Sequence, residues 1–180
     1  KIINKVTYWE PNYEINNTQK ESFFIDKLQF LIEDSIRLQI RSDVPLGGYL
    51  SGGLDSSLVC SLASEILNKP FPTFHGRFLE SPLYDESKYA KKLIETSNCL
   101  YNEVIPSAED FVNYMPKIIN MLDEPIAGPG VFPQYCVSKL AKNKVKVVLG
   151  GQGGDELFGG YARYLIGYLE QAIKGVIFET

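Results

Sequence analysis

Apolar residues recur along the chain with two alternating spacings, which predict helices and strands in turn. Over residues 21–42 they return at helical spacing and predict an amphipathic helix. The apolar run 46–50 ends at Ser51-Gly52-Gly53, as a buried strand does on entering a glycine turn. The alternation continues to the C-terminus, with helices predicted over 56–67, 86–96, 108–122 and 134–142 and from about Asp155, and strands over 73–78, 100–105 and 145–149.

Strands separated by helical segments predict right-handed βαβ crossovers and therefore an α/β fold with a mainly parallel sheet. Residues 1–19 are polar and aromatic without periodicity and are interpreted as a linker or arm, and 20–180 as one domain. Ligands of such sheets bind beyond the carboxyl ends of the strands. Two of the predicted strands run into glycine-rich loops followed by helices, so both loops are expected to open on the same edge.

Proline and glycine modify two of the predicted helices. Pro116 lies inside the helix predicted over 108–122, where it is expected to cause a break or kink. Gly159 and Gly160 fall within the last predicted helix, where each costs about 1 kcal/mol relative to alanine. We therefore expect close packing or a bend at these glycines.

Composition excludes several classes of function. The net charge is −4 with a pI near 5.1, which argues against a nucleic-acid surface. No run approaches the ~20 apolar residues of a membrane span, and the N-terminus lacks the apolar stretch of a signal peptide. The three cysteines are far apart and show no CxxC spacing, which indicates reduced thiols and a cytoplasmic protein. Cys60 is predicted to be a small buried hydrophobe, and the single His75 a core or strand-end residue.

The first glycine-rich loop, Ser51-Gly52-Gly53-Leu54-Asp55-Ser56-Ser57, has the chemistry of a phosphate site. Adjacent glycines let the backbone approach a ligand, and amides, hydroxyls and a helix start supply donors and partial positive charge. The loop is not a Walker loop, because no lysine follows the glycines. The carboxylate of Asp55 beside polyphosphate would need a divalent cation between them, and Mg²⁺ suits that role. The alternative is a Gly-Gly turn with a Ser or Asp helix cap.

The second loop, Gly150-Gly151-Gln152-Gly153-Gly154, leads into Asp155-Glu156. Four glycines in five positions make a flexible backbone that a plain strand–helix link does not need. The two acidic residues could serve only the dipole of the helix that they begin. Alternatively, Asp155 supplies a second Mg²⁺ ligand across the cleft from Asp55.

The loop sequences resemble known families. Residues 51–57 are similar to the pyrophosphate loop of the N-type ATP pyrophosphatases, and Gly-Asp-Glu-Leu-Phe-Gly-Gly-Tyr at 154–161 resembles the asparagine synthetase group. Supporting strings occur in the same order: Tyr8-Trp9, Val44-Pro45-Leu46-Gly47, Tyr84-Asp85-Glu86 and Leu122-Asp123-Glu124-Pro125. The resemblance implies a three-layer fold of the adenine nucleotide alpha hydrolase-like (PP-loop ATP pyrophosphatase) type. The chain closely resembles the C-terminal synthetase domain of glutamine-hydrolysing asparagine synthetases.

That resemblance implies an amide-forming ligase of asparagine biosynthesis. ATP and Mg²⁺ would activate the aspartate side chain as an acyl-adenylate, which ammonia derived from glutamine then attacks. Asp55 and Asp155 would bind the metal and take part in catalysis. The nucleotide site implied by the family consists of Leu50, Ser51, Gly52, Gly53, Asp55, Ser56, Ser57, Gly76, Gly150 and Gly151.

The resemblance also implies missing parts. A glutaminase domain would precede residues 1–19, and a helical C-terminal portion would follow the chain. The piece alone would then be weakly active or inactive. The full-length protein could form a homodimer, and the partners implied are small molecules rather than nucleic acid or membrane.

Some positions depart from the family pattern. Gly76 is followed by Arg77 where the family usually has Ile or Val followed by Gly, and Gln152 stands where Asp or Glu is frequent. Gly128 and Gly130 replace residues that are commonly polar. Because glutamine can neither act as a base nor carry negative charge, two alternatives stay open. One is a related synthetase with another carboxylate, forming a β-lactam, a peptide ring or a modified sugar or lipid. The other is a nucleotide-binding module without turnover.

Overall fold

The computed structural model describes residues 3–12, 14–79, 85–124, 128 and 130–178. Two compact units divide the chain, Lys1–Asp34 and Ser35–Thr180. Residues 3–12 and 14–20 of the first unit carry neither helix nor strand, and residues 21–34 are the start of the first helix. The candidate site and the sheet lie entirely in the second unit.

The described residues form helices and strands in close to the predicted order. The helices are α1 (Glu21–Gln39), α2 (Leu54–Leu67), α3 (Ser87–Thr96), α4 (Ala108–Met121), α5 (Val131–Ala141), α6 (Gly154–Phe158) and α7 (Ala162–Phe178). The strands are β1 (Leu46–Tyr49), β2 (Phe71–Gly76), β3 (Cys99–Val104) and β4 (Val147–Leu149). Of these helices, none is both long enough and apolar enough to cross a membrane.

All the described strands pair in parallel, in the order β3-β2-β1-β4. Gly48 of β1 is in register with Thr73 of β2 on one side and Leu149 of β4 on the other. The chain therefore steps outward from β1 through β2 to β3 and then returns to the opposite side of β1. This reversal makes the gap between the carboxyl ends of β1 and β4 the topological switch point, where ligands of α/β sheets bind.

Helices cover both faces of the sheet, so the predicted three-layer α/β architecture is confirmed. On one face, α2 packs so closely that a Cβ placed on Gly48 would lie 2.6 Å from the Sγ of Cys60. On the other face, Phe74 packs with Ala141, the last residue of α5, and with Val145 in the segment that follows it. Beyond it, a second cluster joins α4 to α5 through Ile118, Phe132 and Cys136. Each face is thus buried by apolar contacts with helices.

The prediction that Cys60 is a small buried residue is confirmed. Cys60, Cys99 and Cys136 are free and buried. Cys60 is fully enclosed between α2 and the sheet, which suits a small apolar side chain.

Three of the predicted helices differ from the structure in detail. Helix α4 runs on through Pro116 without a break, so the expected break is wrong. Helix α5 begins at Val131, which places Pro133 in its first turn, where a missing N–H costs little. The last predicted helix is two helices, because Gly159 ends α6 in the left-handed conformation at φ +69°. At these glycines, where a bend or close packing was expected, the helix therefore ends.

Some residues of the predicted motifs and loops lie outside the described residues: Tyr84, residues 125–127 and residue 129.

Candidate functional site

The two glycine-rich loops leave adjacent strands at the same edge of the sheet. Leu50 and Ser51 continue β1, and Gly150 and Gly151 continue β4, which is paired directly with β1. The expectation that both loops open on one edge is therefore confirmed. The structure goes further than the sequence, because it makes the two loops neighbours at the switch point.

Serine hydroxyls hold the first loop in shape. The hydroxyl oxygens of Ser51 and Ser56 are 2.9 Å apart, and Ser56 Oγ also accepts from the Ser51 amide at 3.2 Å. Ser51 Oγ accepts from the Gly53 amide at 3.1 Å, and Ser56 donates to the Gly53 carbonyl at 3.1 Å. Ser56 is buried, whereas Ser57 is half-buried. The first two serines therefore shape the loop, which leaves the donors of the helix start to face a ligand.

Helix α2 begins without a side-chain cap. Its N-cap is Gly53, in an extended conformation, and no N-cap side chain bonds to the amides of the first turn, although Ser51 Oγ accepts from the amide of Gly53 itself. The alternative interpretation of this sequence as a Ser or Asp cap is therefore wrong. The first amides of an α-helix have no acceptor within the helix, and they carry its positive dipole end. An uncapped start at a strand edge is a suitable site for a phosphate group.

Gly52 is required by both conformation and packing. Its φ of +99° lies in the region that favours glycine, and a Cβ there would lie 2.7 Å from the carbonyl oxygen of Glu86. The loop thus turns tightly against the start of α3. Conformation and packing therefore both explain why the first glycine of the motif is a glycine.

The second loop lies directly over the first turn of α2. A Cβ placed on Gly151 would lie 2.7 Å from the Ser56 amide nitrogen and 2.9 Å from the Cβ of Asp55. A Cβ on Gly154 would overlap the Asp55 carboxylate, with Oδ1 at 2.9 Å. Only glycine at these positions lets the second loop approach Asp55 so closely. The structure therefore joins the two loops through Asp55.

Asp155 follows Gly154 immediately, in the first turn of α6. The N-cap of this helix is Gly153 in the left-handed conformation at φ +94°. A Cβ on Gly160 would overlap the Asp155 Oδ1, and the Gly160 amide donates to the Asp155 carbonyl at 3.0 Å. Gly160, which follows α6, thus leaves room for the Asp155 side chain, next in sequence to the residue that contacts Asp55.

Asp55 and Asp155 are the two carboxylates that would hold the magnesium ion predicted from the sequence. In the part of the chain that the structure describes, no three His, Cys, Asp or Glu residues form a cluster that could hold a metal ion. Mg²⁺ is usually bound by one or two carboxylates together with phosphate oxygens and water. The donor set of Asp55 and Asp155 suits such an ion when a polyphosphate is present.

Gln152 turns back on its own loop. A Cβ on Gly150 would overlap the side-chain amide oxygen of Gln152, whose side chain is otherwise exposed. The glutamine thus covers the backbone at the end of β4. A Cβ on Gly150 would displace only this exposed, flexible side chain.

Gly76 ends β2, the other neighbour of β1, so it lies on the same edge as the loops. A Cβ there would lie 3.0 Å from Val137 of α5. The next residue, Arg77, donates from Nε to Oδ2 of Asp85 at 3.0 Å. Ser87 donates to Asp85 as well, through its amide at 3.0 Å. Hydrogen bonds from the Ser87 hydroxyl and amide, and then from Arg77, lower the pKa of Asp85 to about 2.

Sequence reasoning missed two contacts at this edge. In the sequence, Asp85 is noted only as part of the motif Tyr84-Asp85-Glu86, without a contact of its own. An aspartate often accepts a hydrogen bond from the amide two residues later, so its position before Ser87 could have indicated this contact. His75 was assigned to the core, which is correct, but its Nδ1 also lies 2.7 Å from the carbonyl oxygen of Leu50. No local pattern marks that contact, because the two residues belong to different strands.

Comparison with known proteins points to the same family as the motifs of the two loops. Residues 27–176 match the family model described as asparagine synthase. The chain belongs to this family. It is 37% identical over 158 residues to asparagine synthetase [glutamine-hydrolyzing] 1 of Bacillus subtilis, covering 88% of this chain and 24% of that protein. It is 38% identical over 174 residues to an asparagine synthetase homologue of Methanocaldococcus jannaschii, covering 96% of this chain and 33% of the homologue.

The chain thus spans about a quarter to a third of the length of these asparagine synthase relatives. Among solved structures, it is similar to the NH3-dependent NAD synthetase from Campylobacter jejuni, with a TM-score of 0.47 and 17% identity. That similarity covers 80% of this chain and 62% of the other.

Proposed function

We propose that this chain is the ATP-binding core of a synthetase that makes asparagine. The observation that carries the proposal is the contact between the two loops, in which the Asp55 carboxylate lies against Gly154 at the switch point of the sheet. In the proposed reaction, aspartate and ATP give an aspartyl-adenylate and pyrophosphate. Ammonia from glutamine then gives asparagine and AMP.

The bonding changes define what the site must do. A carboxylate oxygen of aspartate forms a bond to the α-phosphorus of ATP, and the bond from that phosphorus to the β-bridging oxygen breaks. The nitrogen of ammonia next bonds to the acyl carbon, the bond from that carbon to the AMP oxygen breaks, and the nitrogen loses a proton. Negative charge grows on the departing pyrophosphate in the first step. Fixed donors and positive charge at that position are therefore the main help that a protein can give.

Residues of the first loop are proposed to supply these donors. The uncapped start of α2, from Leu54 onward, directs amides and the helix dipole towards the open edge. Ser51 and Ser56 keep the loop in the conformation that exposes those amides. Because the chain has a net charge of −4, its overall field does not attract phosphate groups, so these local donors must do so.

Asp55 and Asp155 are the residues proposed to hold Mg²⁺. When bound, the ion would neutralise charge on the phosphate oxygens. On the nucleotide side, the backbones of Leu50, Gly76 and Gly151 are proposed to line the AMP part of ATP. All three lie at the carboxyl ends of neighbouring strands, which is where a nucleotide would have to bridge the loops.

The decisive experiment is isotope exchange between labelled pyrophosphate and ATP in the full-length protein. Each carboxylic acid of a panel is supplied alone with ATP, with and without Mg²⁺. Magnesium-dependent exchange that requires aspartate is the expected result. Absence of exchange with every acid would overturn the proposed function and favour a nucleotide-binding module without turnover.

A second candidate is the same adenylation with a different acid. The observation that favours it is Gln152, whose uncharged amide covers Gly150 at the end of β4. The Arg77–Asp85 pair also places charge at the end of β2, near the proposed AMP contact of Gly76. Exchange that requires an acid other than aspartate would support this candidate.

A further inference from the structure

Leu50, which leads into the first loop, contacts β2 through both its backbone amide and its backbone carbonyl. The Leu50 amide donates to the Phe74 carbonyl at 2.9 Å. Its carbonyl oxygen lies 2.7 Å from the Nδ1 of His75. Leu50 itself is only 1% exposed, so water does not compete for either group. His75 therefore supplies the side-chain contact among the two that fix the direction in which the chain enters the loop at Ser51.

The chemistry of this contact fixes the tautomer of His75. A carbonyl oxygen only accepts hydrogen bonds, so Nδ1 must carry the hydrogen. Nε2 is buried and has no partner among the described residues. The ring is 2% exposed and stacks on Tyr101 with 5.7 Å between centroids. A buried nitrogen without a partner costs free energy, which a residue serving only as apolar filling would avoid.

The position of Leu50 propagates directly into the loop. The next amide, that of Ser51, donates to Ser56 Oγ, which also bonds to the Gly53 carbonyl. Gly53 is the N-cap of α2. A shift of the Leu50 carbonyl would therefore move the serine network and the amides at the helix start together.

We propose that His75 is a positioning residue for the pyrophosphate loop, acting through the Nδ1–H···O hydrogen bond to Leu50. The inference rests on the proposed function, because it assigns the loop to ATP. His75 does not touch the nucleotide. It fixes the backbone that does.

Two amide substitutions separate this role from simple packing. Asparagine places its N–H near the position of Nδ1, whereas glutamine places its N–H near Nε2. His75→Asn should therefore keep the bond to Leu50, and His75→Gln should lose it. In the full-length protein, we expect the Mg-ATP concentration for half-maximal exchange to rise about tenfold in His75→Gln and to stay within about threefold in His75→Asn.

Equal losses in both variants would indicate a packing role only and would overturn the proposal, as would no loss in His75→Gln. Thermal unfolding of both variants checks that the comparison is made between folded proteins. Rescue by asparagine is the result that packing alone does not predict, because asparagine fills less of the cavity than glutamine.

The tautomer can also be measured directly in the full-length protein. The imidazole ¹⁵N resonances that disappear in His75→Asn are those of His75. Nδ1 should appear as the protonated nitrogen and Nε2 as the unprotonated one. The opposite tautomer would overturn the contact with Leu50. This test stands even if exchange shows no ATP chemistry, so failure of the positioning role and failure of the proposed function are distinguishable.

Discussion

The carboxylate of Asp55 lies directly against the backbone of Gly154, although the two residues belong to loops that follow different strands. The contact exists because β4 pairs with β1 rather than extending the sheet beyond β3. It brings an acidic residue of the first loop beside the residue that precedes Asp155. The closeness of the two loops is therefore a property of the strand order.

Gly154→Ala should disrupt this contact. The added Cβ would overlap the Asp55 carboxylate and force either the side chain or the second loop to move. Misplacement on this scale reduces rates by about ten- to a hundredfold, and we expect a loss of that size in pyrophosphate–ATP exchange. Gly167→Ala is the matched control, because a Cβ there meets nothing within 4 Å. The control should exchange normally and gain up to about 1 kcal/mol in the stability of α7. Normal exchange in Gly154→Ala would contradict the assignment.

Asp55→Asn should remove the magnesium-dependent part of ATP binding while leaving the fold intact. The substitution keeps the size of the side chain and removes its charge, so the loss of charge stabilisation should lower exchange at least about a hundredfold. Asp43→Asn provides the control, since Asp43 is exposed and precedes β1, at the opposite end of that strand. Titration of both variants with Mg-ATP measures the effect. Unchanged affinity in Asp55→Asn would refute the role of this carboxylate.

Asp85 should make the stability of the chain depend on acid pH. Hydrogen bonds from Ser87, and then from Arg77, hold its pKa at about 2 against an ordinary value of 3.8. A carboxyl with a lowered pKa stabilises the folded state fully above its unfolded value and loses that contribution as the pH falls through its folded value. The stability difference between wild type and Asp85→Asn should therefore be largest above about pH 4 and shrink towards pH 2.

Urea unfolding at intervals between pH 2 and 5 measures this difference. A gap between wild type and Asp85→Asn that stays constant across the range would show that the carboxylate charge does not contribute. The same titration on Arg77→Gln should give a smaller effect, since the Ser87 hydrogen bonds come first among the causes of the lowered pKa.

Cys60 should resist alkylation in the folded chain. Burial raises the pKa of its thiol from 9.0 to about 12, with a smaller contribution from Cys99 nearby. The thiolate is the reactive form, so a pKa increase of this size lowers its population at pH 8 by about a thousandfold, in addition to steric protection. Iodoacetamide labelling followed by peptide mass spectrometry should find Cys60 modified only after unfolding. Rapid labelling under native conditions would mean that α2 leaves the sheet easily.

Local patterns in the sequence account for much of the fold. The apolar run of β1 and the glycines after it predict a strand, a turn and a helix start, and all three occur within two residues of their expected places. These features depend on side-chain periodicity and on backbone freedom, which neighbouring residues determine. The glycine-rich motifs of the two loops can likewise be recognised in the sequence, and they indicate the family of the chain.

Predictions failed where tertiary contacts overrode local preference. Helix α4 continues through Pro116 because its Ile118 packs with α5, and that burial outweighs the missing hydrogen bond. The stop at Gly159 is different, because it is a local effect of glycine in the left-handed conformation, which ends α6 where only a bend or close packing was expected. Helix propensity describes single residues and does not include the packing of a helix against other elements.

The sequence by itself determined that two glycine-rich loops would follow buried parallel strands, that each would be followed by a helix, and that the chain would carry the motifs of its family. Only the tertiary structure decided that β4 returns beside β1, that Asp55 meets Gly154, and that His75 holds Leu50. The physical reason is that helix and strand formation depend on nearby residues, whereas strand pairing depends on which apolar surfaces distant segments bury together.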